Sequence, residues 1–118
     1  MTKEMIAYVT EKTRELMAAD SCCPEARAAA EAWLAAVGTA SEAAETKKYL
    51  AELEQDITSI DGLIAFASSQ TAIAAFGEEA ARGLLAHAKQ IKAEGAQYCD
   101  CPACTAAKAI LDKKAELL

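Results

Sequence analysis

The sequence predicts an all-α fold, a compact antiparallel bundle of five to six helices, and three observations carry that prediction. Apolar residues recur three and four positions apart along most of the chain, and no stretch alternates with the two-residue period of a strand. Alanine is by far the commonest residue; it costs no side-chain entropy and has the best helix propensity. Proline and glycine fall where helices start and stop, with Pro24 and Pro102 suited to first turns and Gly38, Gly77 and Gly95 to ends.

The first helix is expected from Thr2 to Ala19, with Met5, Val9 and Leu16 on one face. Asp20-Ser21-Cys22-Cys23 breaks it, and Pro24 opens a second helix carrying Ala26, Ala30, Trp33 and Val37. Thr39 and Glu42 have the spacing of a capping box for a third helix, whose inward face is Leu50, Leu53 and Ile57. Asp61 is a candidate cap for a fourth, containing Leu63, Ile64 and Ala67. Ser68-Ser69-Gln70-Thr71 is a candidate interruption before Ile73 and Phe76. A fifth helix is expected over Glu78 to Glu94, with Ala81, Leu84, Ala88 and Ile91 inside. Pro102 opens the last, with Ala103, Ala107, Ile110 and Leu117 inside. No internal repeat or low-complexity linker divides the chain, so residues 1–118 read as a single helical domain.

The 118 residues are 53% hydrophobic but only 5% aromatic, so Ala, Leu and Ile must build the core. A net charge of −6 repels phosphate backbones and argues against nucleic acid as a partner. The chain lacks polybasic segments for anionic lipid, and no apolar run approaches the roughly 20 residues that span a bilayer. The N-terminal Met1-Thr2-Lys3-Glu4-Met5 lacks the apolar core of a signal peptide. A cytoplasmic protein is expected, with a protein partner that the sequence does not identify and no membrane. There the five cysteines stay reduced.

Those cysteines are the chemically informative residues. Three lie within Cys99-Asp100-Cys101-Pro102-Ala103-Cys104, and the others are the adjacent Cys22 and Cys23. If each helix reverses direction, odd-numbered helices end at one pole, which brings both groups together. That inference fails if the Ser68-Ser69 break is itself a reversal. Cys101 sits at the start of the last helix and Cys104 in its first turn, where backbone N–H groups favour thiolates. Three thiolates leave a tetrahedral ion needing one more ligand. The expected metal site is therefore Cys99, Cys101 and Cys104 with Cys22, or Cys23 in its place. Soft ligands favour zinc; iron–sulfur clusters use other spacings. A filled thiolate shell leaves no open position for substrate, which suits a structural or sensing site in an interaction or regulatory module rather than an enzyme.

Two other readings remain. Cys101-Pro102-Ala103-Cys104 has the form of a dithiol redox motif at a helix start, although no strand precedes it. The cysteines also suit small gaps in an alanine-rich core, which would make this a helical interaction module without a site. His87, the one histidine, lies about two turns before its helix ends, ~12 Å along the axis from a terminal site, and reads as a flank residue. Trp33 reads as core, Tyr98 as a turn-packing or site-shielding ring. Glu42, Glu45, Glu52 and Glu54 read as a solvated face. No Glu-x-x-His pair, phosphate loop or nucleophile–His–acid set is present.

The stretches Glu45-Thr46-Lys47-Lys48-Tyr49, Ile64-Ala65-Phe66-Ala67 and Tyr98-Cys99-Asp100-Cys101-Pro102-Ala103-Cys104 resemble a family of small bacterial proteins over nearly the whole chain. Members carry a label as a ninety-kilodalton heat-shock chaperone, but this chain is far too short for that chaperone and has no ATP-binding motif. The resemblance implies a coherent family with a C-terminal cysteine motif and does not imply an activity. It matches Cys22 to a family cysteine, and the tandem Cys22-Cys23 is where this chain departs.

Overall fold

The computed structural model describes residues 2–118. Among them the fold is all-α, with helices α1 (Lys3–Ala18), α2 (Pro24–Ala36), α3 (Glu42–Asp56), α4 (Ile60–Ala67), α5 (Gln70–Phe76), α6 (Glu78–Ala93), α7 (Pro102–Leu111) and α8 (Lys114–Leu117). These eight segments exceed the five or six expected. Ser68 and Ser69 separate α4 from α5, and a turn at Asp112–Lys113 separates α7 from α8. No helix is long and apolar enough to cross a membrane. The chain divides into two compact units, one of Met1–Ile57 with Asp100–Leu118 and one of Thr58–Cys99.

In the first unit α1 packs on α7 and α2 on α3. Thr2 caps α1 by accepting the Met5 N–H at 3.1 Å. Val9, Thr13 and Leu16, at helical spacing, form the buried face of α1. In α2, Ala26 and Ala30 are buried, and their small side chains allow close approach of a neighbour to Trp33. Gly38 ends the α2 segment at φ +81°, a conformation that disfavours any residue with a Cβ. Glu42 reaches back to the Gly38 N–H at 3.1 Å, one residue beyond the Thr39 expected from the capping-box spacing.

A polar chain runs through this core. Trp33 Nε1–H donates to Thr46 Oγ1 at 3.0 Å, and Thr46 donates to the Glu42 carbonyl at 2.8 Å. The Tyr49 ring stacks on Trp33, with centroids 5.7 Å apart. Its hydroxyl shares a 2.9 Å hydrogen bond with Thr13. Burial pushes the Tyr49 phenol up to about 12. Trp33, Thr46, Tyr49 and Thr13 thus each have a partner, which offsets the cost of removing them from water. Tyr49→Phe is expected to cost about 1 kcal/mol, because Thr13 loses its partner in a dry site. The measurement is a urea melt: a lower midpoint at unchanged slope fits, and an unmoved midpoint does not.

In the second unit α4 and α5 pack on α6, around buried Ile60, Leu63 and Ala88 with half-buried Ile64, Leu84 and Ile91. Ser59, not Asp61, caps α4, its hydroxyl accepting from the Gly62 N–H at 3.0 Å. This register buries Ile60, and Asp61 in the first turn instead pairs with Lys92 at 2.6 Å. Gly77, at φ +88°, ends α5 and starts α6 without a loop between them. Phe76 is 55% exposed and meets the Phe66 ring edge-on at 6.1 Å.

Candidate metal centre

The residues before the cysteine motif are held by backbone pairing. Ser59 and Tyr98 form an antiparallel bridge, Ile60 N–H donates to the Gln97 carbonyl at 2.9 Å, and Cys99 N–H to the Thr58 carbonyl at 2.9 Å. Cys99 is half-buried against the Ile60–Leu63 cluster. The extended backbone up to Cys99 is thereby fixed.

The start of α7 holds the other two thiols. Cys101 is the N-cap, and its Sγ accepts the Cys104 N–H at 3.4 Å. Pro102 occupies the first helical position, where its missing N–H costs nothing. The Ala103 N–H donates to Ser21 Oγ at 3.3 Å, and the Thr105 N–H to the Cys101 carbonyl at 2.8 Å. Every N–H of the first turn is therefore used, one of them by a sulfur. A thiolate at Cys101 would accept that N–H more strongly than a thiol does, and the helix end favours its charge.

The Sγ atoms of Cys99, Cys101 and Cys104 all lie within 4.8 Å of one another. Sulfur ligands of one tetrahedral zinc stand about 3.8 Å apart, given Zn–S bonds of about 2.3 Å. The separations observed exceed that spacing by about 1 Å at most. Cys104 is buried, whereas Cys99 and Cys101 are half-buried. The group can hold a metal ion, and no disulfide joins any of the five cysteines.

The Ser21–Ala103 hydrogen bond brings the loop after α1 to the start of α7. Cys22 is buried in the same apolar cluster as Ala103 and half-buried Cys101. Its Sγ donates to the Cys23 carbonyl at 3.5 Å, and it is not one of the three sulfurs grouped within 4.8 Å. Burial pushes the Cys22 thiol above its ordinary value, with Arg27 opposing. Cys23 is the N-cap of α2 and is half-buried. Burial raises its thiol too, an effect the Ala26 N–H opposes. His87 is exposed on α6 and stands outside the thiol group. Tyr98 is half-buried at the bridge with Ser59.

Sequence reasoning missed Asp56. It ends α3 beside Cys23 and Glu52, and its Oδ2 is fully buried without a hydrogen-bond partner. Burial, then the Glu52 carboxylate, push the Asp56 carboxyl up to about 6, while the Cys23 thiol pulls it down. Glu52 is half-buried here rather than part of a solvated face. The visible signal was the Glu52–Asp56 pair, like charges at helical i,i+4 spacing near a helix C-terminus, where the dipole disfavours anions.

A carboxyl raised in the folded state contributes stability fully below its unfolded value of 3.8, and loses it as pH rises through about 6. Asp56→Asn is therefore expected to stabilise the protein by about 1 kcal/mol at neutral pH, a figure reduced for partial solvent screening, and to do little at pH below 3.8. Melting temperatures of the two proteins across that range provide the check. A variant less stable than the parent at neutral pH would contradict the assignment.

No protein-family model, curated protein or solved structure matches this chain.

Proposed function

We propose that this protein binds one thiophilic metal ion, zinc being the best fit, through Cys99, Cys101 and Cys104. The convergence of their three sulfurs within 4.8 Å carries the reading. Cys22 is the preferred fourth ligand: it is buried in the Cys101 cluster and lies in the loop that caps α7. Cys23 is its alternative. Zinc suits a tetrahedral, sulfur-rich shell that needs no redox change. A closed shell makes the site structural or sensing, within a cytoplasmic helical module that regulates or contacts a protein partner. The resemblance to small bacterial proteins with the same terminal motif belongs to this reading.

The test is elemental analysis of protein purified in reductant without chelator. About one equivalent of zinc is expected, and its removal should expose thiols that react rapidly with a thiol reagent. Metal-free protein whose five thiols titrate freely from the start would overturn the proposal.

The Cys101–Cys104 arrangement also favours a second reading, a thiol-redox protein. Cys101 occupies an N-cap and receives the Cys104 N–H, a setting that lowers thiol pKa values in general. A reversible disulfide between these two in metal-free protein, with Cys99 dispensable, would select it.

A further inference from the structure

We infer that the thiolate centre releases its ion on oxidation by a hydroperoxide, through a disulfide between Cys101 and Cys104. This rests on the metal reading and assigns the regulation of that same site. The thiols that hold the ion are close enough to pair with each other, since their sulfurs lie within 4.8 Å. A disulfide requires them to close from within 4.8 Å to about 2.05 Å.

Exposure and capping assign the roles. Cys101 is half-buried, so a small oxidant reaches it, and its sulfur sits at the positive end of α7 with the Cys104 N–H 3.4 Å away. Cys104 is buried in the first turn of the same helix, which makes it the resolving thiol rather than the first to react. Pairing Cys99 with Cys101 instead would close a ring with one intervening residue, whereas Cys101 and Cys104 stand as N-cap and third residue of one helical turn.

The chemistry balances in two steps. The Cys101 thiolate attacks one peroxide oxygen; the O–O bond breaks, and the leaving oxygen takes a proton to become water or an alcohol. Cys101 is then a sulfenic acid. The Cys104 thiolate attacks that sulfur, the S–O bond breaks, and the departing hydroxide takes a proton to become water. Two electrons have passed from the two sulfurs to the peroxide, and the zinc ion itself is unchanged. Two ligands are lost, and the remaining thiols are too few to retain it.

The helix start survives this change. The Ser21–Ala103 and Cys101–Thr105 hydrogen bonds do not involve either sulfur. The Trp33–Thr46 and Tyr49–Thr13 hydrogen bonds likewise involve neither sulfur. Oxidation should therefore alter the metal centre and its surface without unfolding α7.

The test treats zinc-loaded protein, as purified, with a stoichiometric amount of hydrogen peroxide. Released zinc is read with a chromogenic chelator, the linkage by peptide mass spectrometry and helicity by circular dichroism. The expected result is about one zinc released per disulfide, a Cys101–Cys104 cross-linked peptide, retained helicity, and zinc rebinding after dithiothreitol. Zinc retained through the treatment overturns this inference and leaves the metal site standing. Release with a different linkage, with over-oxidised sulfur alone, or with loss of helicity also overturns it. Protein that carries no zinc before oxidation overturns the metal reading, and this inference with it.

Discussion

Trp33→Ala is expected to destabilise the protein by about 3–5 kcal/mol. The indole is fully buried, stacks on Tyr49 and donates to Thr46. Truncation removes the largest buried side chain in a core that has few aromatics, and the alanines of its own cluster, among them Ala26 and Ala30, are too short to fill the space. Thr46 also loses a donor in a dry environment. Domains of this size hold about 5–15 kcal/mol in total, so the loss should shift the melting temperature by tens of degrees or leave the protein partly unfolded. Trp33→Phe keeps an apolar ring against Tyr49 and should cost clearly less. The chain has one tryptophan, so circular dichroism replaces fluorescence as the readout. A loss below about 1.5 kcal/mol for Trp33→Ala would mean that the core does not depend on this residue as described.

Cys104→Ser should reduce bound metal from about one equivalent to a small fraction of it. Serine keeps the shape but offers a hard oxygen that does not ionise near neutral pH. Cys99→Ser should do nearly the same damage, which separates a three-thiolate site from a Cys101–Cys104 dithiol. In the dithiol case Cys99 can be changed with little effect. Each variant needs elemental analysis together with a melt, since the buried Cys104 also contributes to packing. Full metal content in Cys99→Ser would remove that residue from the ligand set. Chelation of the parent protein should lower its melting temperature yet leave it folded, because the core around Trp33, Tyr49, Leu50 and Leu53 buries enough apolar surface without an ion.

The helices were legible where local chemistry dictates their ends. Pro24 and Pro102 each occupy a first helical position, and Gly77 and Gly95 take the positive φ that other residues resist. The cap of α4 was not legible, because Ser59 and Asp61 both offer a suitable oxygen. Burial of Ile60 decides between them, and that is a tertiary fact. The split of α4 from α5 was readable only as a candidate interruption, since serine tolerates helix and cap alike. Tyr49 illustrates what spacing cannot show: its hydroxyl partner Thr13 lies 36 residues away.

For the site, the three terminal cysteines were legible because their convergence is local, set by one N-cap and one short segment. The position of Cys22 depends on α1 packing against α7, so spacing alone gave only a conditional argument for it. The structure brings Ser21 to Ala103 directly, within a unit that contains both helices, without passing through α4 and α5. Asp56 was hidden because a carboxylate on a charged helix ordinarily faces water.

X-ray absorption at the metal edge of the protein as purified in reductant tests the central claim most directly. A shell of three to four sulfurs at about 2.3 Å is the expected result, since only thiolates converge at this site. Protein without metal, or a shell of oxygen and nitrogen at about 2.0–2.1 Å, would contradict it.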